Sequence, residues 1–139
     1  MKKWLFTLGI LSGINFSSST LAADYYYQLG GEKGIENIVD NFINEISFDP
    51  DIVTFFDGTD IERLREKLVE QFCAESGGPC EYTGDSMQDV HTGMNITKAQ
   101  FNRTVELLQV AMDKAGTPQI AQNRLIRSLA PMRSDIIHR

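Results

Sequence analysis

The stretch Met87-Gln-Asp-Val-His-Thr-Gly-Met-Asn-Ile-Thr97 holds one of only two histidines in the chain. His91 sits where Met87, Val90 and Met94 recur at helical spacing, which places its ring on their apolar face. A neutral imidazole facing an apolar pocket is a good ligand for haem iron, and apolar neighbours hold a porphyrin plane. Gly93 and Asn95 break this short helix, and Thr97 with Gln100 reads as a capping box opening the next one. Spacing alone favours the plainer reading, a core histidine with a satisfied hydrogen bond. The rest of the chain shifts that balance.

At the N-terminus, Lys2 and Lys3 precede an apolar run from Trp4 to Ile14, a Ser/Thr stretch and Thr20-Leu-Ala-Ala23. That order is expected of a signal peptide over residues 1–23, cleaved after Ala22 or Ala23. The apolar run is too short for a membrane span, and no later segment approaches the needed length. An uncleaved anchor is the rival reading, disfavoured by the small-residue cleavage site. Secretion is therefore expected, to the periplasm if the source is bacterial.

Residues 24–139 then make one domain, large enough to bury a single core. Removing both leader lysines takes the formal charge from −6 to −8. An acidic domain without a basic cluster is a poor fit to nucleic acid or an anionic membrane surface. The two cysteines, Cys73 and Cys80, flank a Gly-Gly-Pro turn. In a secreted chain such an isolated pair reads as a local disulfide worth about 2–3 kcal/mol by loop-closure entropy. No neighbouring histidine or cysteine completes a zinc site, and Cys-x-x-Cys-His, the covalent haem attachment motif, is absent.

Apolar periodicity predicts helices throughout. Ile35, Ile38, Val39, Phe42, Ile43 and Ile46 trace one stripe, which ends near Ser47 because Asp49 precedes Pro50. An aromatic corner, Pro50 to Gly58, follows. Thr59 to Glu62 reads as a capping box for a helix through Leu64, Leu68 and Phe72 to Gly77. A Gly/Pro-rich loop leads to the His91 helix. Thr97 to Ala115 is a further helix with Phe101, Val105, Leu108 and Met112 on its core face. Thr117-Pro118 is expected to cap and start the last helix, striped by Ile120, Leu125, Ile126 and Leu129 and kinked at Pro131. His138 reads as a solvent-exposed residue in a fraying terminal segment and is given no function. The fold class is all-α.

Gln28-Leu-Gly-Gly31, Phe55-Phe-Asp-Gly-Thr-Asp60, Gly77-Gly-Pro79, Tyr82-Thr-Gly84, Met87, Val90-His91, Gly93 and Ile96-Thr97, in that order, resemble the group 1 truncated haemoglobins. The resemblance spans essentially the whole of residues 24–139. It implies a two-over-two helical sandwich around one non-covalent haem b. His91 matches the proximal iron ligand, and Phe56 the phenylalanine that packs on the porphyrin. Thr59, Leu64, Lys67, Leu68, Phe72, Met87, Val90, Ile96 and Phe101 match haem-contact positions. For the apolar members, plain core packing is an equally good reading.

Two departures from the family pattern bear on function. The position after Phe42, commonly a tyrosine that donates to bound dioxygen, is Ile43 here. A position commonly glutamine is Leu68, with Leu64 before it. A distal pocket of Ile43, Leu64 and Leu68 has no donor, and a lost hydrogen bond to a partly charged ligand costs about 1.5–3 kcal/mol, roughly ten- to hundredfold in affinity. Fast oxygen release is expected, with carbon monoxide and nitric oxide less affected, unless Gln71 swings inward. Lys67 reads first as a snorkelling partner of a haem propionate and second as a displaceable sixth iron ligand. The expected function is binding of diatomic gases, either oxygen binding and transport or nitric oxide detoxification. Catalysis is left open: a nitric oxide dioxygenase-like activity would need an external reductase, since nothing here binds flavin or nicotinamide. The alternatives are a gas or redox sensor acting through a partner, and a helical interaction domain without cofactor.

Overall fold

The computed structural model describes residues 25–139; the expected leader lies outside the described residues. Residues 25–28 form a helical turn, α1. Gly30 (φ 95°) and Gly31 (φ 66°) then turn the chain into α2, Gly31–Phe48. A left-handed pair of residues favours glycine, and a Cβ on Gly34 would run into the Leu29 carbonyl. The tight crossing therefore rests on this glycine set.

Helix α2 buries Ile35, Ile38, Val39, Phe42 and Ile46, as its stripe predicts. Each such side chain contributes about 1.5–3 kcal/mol relative to exposure. The helix ends at Asp49, whose backbone is extended before Pro50. Asp49 is only 5% exposed, and its carboxylate accepts from the Asp51 and Ile52 amides and from Arg103 Nε at 2.7 Å. The Arg103 hydrogen bond, against the cost of burial, holds this carboxyl below the usual range. That contact fastens the corner, including the 3-10 turn Val53–Phe56, to the helix carrying Arg103.

Helix α3 spans Ile61–Glu75, α4 Met87–His91, α5 Lys98–Lys114 and α6 Gln119–Leu129. Pro131 interrupts the last helical run, as expected, producing a 3-10 turn Ala130–Met132 before α7, Arg133–Ile136. The Thr97–Gln100 capping box is present in both directions.

Several local expectations shift. Asp60, not Thr59, caps α3, accepting from the Arg63 amide, because the carboxylate sits three residues before that donor. Pro118 occupies the position before α6, and Thr117 instead uses its backbone, donating to Met112 and accepting from Gln122. The core face of α5 is Leu107, Leu108, Ala111 and Met112, while Phe101 and Val105 remain partly exposed. Ile120 is exposed, and α6 buries Ala121, Gln122 and Leu125. In each case a neighbouring helix chose the buried face.

The core lies where α2 packs on α5 and α3, with α6 against α3 and α5. Helix α4 stands apart and packs chiefly on α7. Among the described residues the only extended pairing is an isolated parallel bridge between Ile96 and Ile137. The Cys73–Cys80 disulfide is formed, with Cα atoms 5.7 Å apart, tying the loop after α3 to that helix. Replacing both cysteines with serine should lower unfolding free energy by about 2–3 kcal/mol, read as a shifted chemical denaturation midpoint with unchanged slope. An unchanged midpoint would mean the bond stabilises nothing.

Candidate functional site

His91 is half-buried at the end of α4. Its Nδ1 lies 2.7 Å from the Met87 carbonyl oxygen. A carbonyl only accepts, so Nδ1 carries the proton and donates, and the free lone pair is on Nε2. The i to i+4 spacing makes this possible: Met87 and His91 share one face of a single helical turn. Ser86 caps the turn through the Asp89 amide, and Gly93 (φ 88°) ends it.

The other expected residues fall into three groups. Ile43, Phe56, Leu64, Leu68, Met87, Ile96 and Phe101 are neither buried nor fully exposed, and Val90 is 45% exposed. Phe72, 2% exposed, is enclosed by protein and belongs to the core. Thr59 is exposed and only its amide is engaged, donating to Phe56.

Ile43 of α2, Phe56 of the 3-10 turn and Leu64 of α3 come together, whereas Leu68, the third member of the expected distal pocket, is not among the residues lining the same space. Ile43, Phe56 and Leu64 line a cavity of about 280 Å³ together with Ile46, Val53 and Ile61. Its polar members are Ser47, whose hydroxyl donates to Asn44, and Asp57, whose carboxylate offers no donor. Gln71 does not swing toward this cavity. It is buried, and its Nε2 donates to the sulfurs of Met87 (3.5 Å) and Met132 (3.4 Å), bridging α3 to α4 and to the turn before α7.

The Lys67 ammonium answers to protein groups: Glu66 at 2.9 Å, Glu70 at 3.0 Å and the Thr83 hydroxyl at 2.8 Å. The Glu66 and Glu70 hydrogen bonds hold its pKa above the ordinary lysine value. A protonated ammonium has no lone pair for iron, so this arrangement disfavours Lys67 as a sixth ligand. Glu70 also accepts from the Thr83 amide, and that bond, followed by Lys67, pulls its carboxyl down to about 2.

These residues fit a haem. Among the described residues no group of three or more His, Cys, Asp or Glu could hold a bare metal ion. Iron in a porphyrin needs only one imidazole, and the Met87 contact orients that of His91 with Nε2 directed away from the backbone. The partly exposed apolar side chains among the expected contact residues suit the faces and edge of a flat hydrophobic ring. A helical fold carrying one such imidazole beside partly exposed apolar side chains has the elements of a b-type haem site, although His91 does not itself line the cavity at Ile43 and Leu64.

The chain belongs to the bacterial-like globins, whose family profile matches residues 24–138. It is 36% identical over 114 residues to the group 1 truncated haemoglobin GlbN of Mycolicibacterium paratuberculosis, covering 82% of this chain and 84% of that protein. The truncated haemoglobin of Tetrahymena pyriformis, in its Fe(III) crystal structure, superposes with a TM-score of 0.79 at 25% identity over 83% of this chain and 98% of that one. The Synechococcus 2/2 haemoglobin shares the fold, with a TM-score of 0.76 at 21% identity over 83% and 98% of the two chains. The two-over-two helical arrangement, the haem and the capacity for diatomic gases thus follow from the family as well as from the site.

Sequence reasoning missed Glu70, Thr83 and Met132. The Lys67–Glu70 spacing of three was a visible signal, whereas Thr83 and Met132 are brought in by a loop and a kink that no periodicity marks.

Two outcomes check this geometry. His91→Ala should lose or displace the Soret band of the haem-loaded protein, and an unmoved band would remove His91 from the iron. Because the Glu70 carboxyl is depressed in the folded state, its hold on Thr83 is complete above about pH 4.5 and released as pH falls towards 2. The Thr83 amide should lose exchange protection across that window, and Glu70→Gln should abolish the dependence.

Proposed function

We propose that this globin binds small, weakly polar gases reversibly, favouring nitric oxide and carbon monoxide over dioxygen. His91 would hold the haem iron, and the group so held would supply the gas-binding chemistry. The chain's own residues decide which molecule stays. The observation that carries the reading is the donor-free cavity: Ile43, Phe56 and Leu64 line it, and the nearest amide considered for rescue, Gln71, is committed to two thioethers. A ligand that builds up partial negative charge, as dioxygen would, gains most from a nearby donor, whereas carbon monoxide gains little.

The Cys73–Cys80 bond supports an oxidising compartment, consistent with export to a periplasm. Among the described residues no helix is long and apolar enough to cross a membrane. In such a setting nitric oxide capture is the role we favour, with any turnover drawing electrons from a separate reductase.

The test is Ile43→Tyr, which restores a hydroxyl to the cavity. Stopped-flow measurement should show dioxygen leaving the ferrous variant about ten- to hundredfold more slowly than the wild type, with carbon monoxide release changed far less. Equal dioxygen release rates would show that the apolar lining does not set ligand preference.

A further inference from the structure

Helix α4 is five residues long, too short to be stable alone, and it carries the iron-binding imidazole. Its position must come from contacts outside itself. The main packing partner is α7, and Gln71 provides a weak sulfur-accepted link to α3. The remaining attachment is backbone. Residues 95–96, which follow α4, pair with residues 137–139, which follow α7. The Asn95 amide donates to the Arg139 carbonyl at 2.8 Å, and the His138 amide donates to the Ile96 carbonyl at 2.9 Å. The pairing is the parallel Ile96–Ile137 bridge, and one residue on each side is left-handed, Asn95 at φ 50° and His138 at φ 57°. Asparagine and histidine are among the non-glycine residues that accept this conformation most readily, which suits them to these two positions of the pairing. The same tail is anchored at its root by Arg133, whose guanidinium lies 5.7 Å from the centre of the Phe101 ring.

We propose that residues 137–139 are a strap that positions His91 for iron: the backbone pairing at Ile96 and the α7 contact together fix α4, and hence the imidazole. His138, whose side chain is exposed, is the positioning residue, acting through its amide and its backbone geometry. The segment expected to fray is instead tied to the proximal side. This inference rests on the haem-binding reading above. It adds that haem affinity is set in part by residues that do not touch the haem.

The test compares His138→Pro with His138→Gly. Proline removes the amide donor and cannot adopt positive φ, while Ile137, already extended at φ −73° and ψ 132°, tolerates a following proline. Glycine keeps the donor and is at ease with positive φ. Neither change touches a haem-facing side chain. Haem transfer from the ferric protein to apomyoglobin should be about tenfold faster for His138→Pro than for wild type. The iron–histidine stretching band of its ferrous form, read by resonance Raman, should also shift. His138→Gly should match wild type in both.

A His138→Pro protein with wild-type haem loss and an unmoved band overturns the proposal. So does a His138→Gly protein that behaves like the proline variant. Should His138→Pro lose its helical circular dichroism, amide exchange in the wild type decides the matter. Coupling is reciprocal, so haem uptake must raise protection of the Asn95 and His138 amides by a similar factor, and equal protection with and without haem overturns the strap. Failure of the haem reading looks different: wild type itself would take up no haem, before any variant is compared.

Discussion

One hydrogen bond, from His91 Nδ1 to the Met87 carbonyl, sets the chemistry of this protein. It fixes which nitrogen is protonated, leaves Nε2 free, and turns the ring about a single helical turn. Everything else on the proximal side serves to place that turn. A helix of five residues cannot supply its own stability, so the surrounding chain is arranged to clamp it at both ends: Ser86 at its start, and α7 with the Ile96–Ile137 bridge beyond its end.

The molecule is accordingly uneven. Helices α2, α3, α5 and α6 enclose a core of fully buried Ile35, Ile38, Val39, Ala111, Met112 and Leu125. The α4 side has half-exposed apolar residues and long-range polar ties in place of a core. A two-part construction of this kind places the low-stability element where a cofactor adds contacts on binding.

The polar ties also bear on the ligand preference proposed above. Gln71 spends its amide on Met87 and Met132, and Lys67 spends its ammonium on Glu66, Glu70 and Thr83. Two long polar side chains are thereby committed to holding loops and helices together. The donor-free cavity at Ile43 and Leu64 is a result of those commitments as much as of the residues that line it.

The amino-acid sequence by itself determined the helices, the α2 stripe, the Thr97 capping box and the glycine crossings. Those features are local: period, cap chemistry and backbone freedom are written in neighbouring residues. The candidate ligand role of His91 and a pocket pairing Ile43 with Leu64 came through resemblance rather than periodicity, and Leu68, expected beside them, does not line that cavity. Tertiary structure alone decided that Leu107 and Ala111, not Phe101 and Val105, face the core, that Glu70 reaches Thr83, and that Gln71 turns toward methionines. It also decided that the segment after α7 pairs with Ile96. Each joins residues far apart in sequence, and such contacts form only when packed helices bring backbone and side chains within hydrogen-bonding distance.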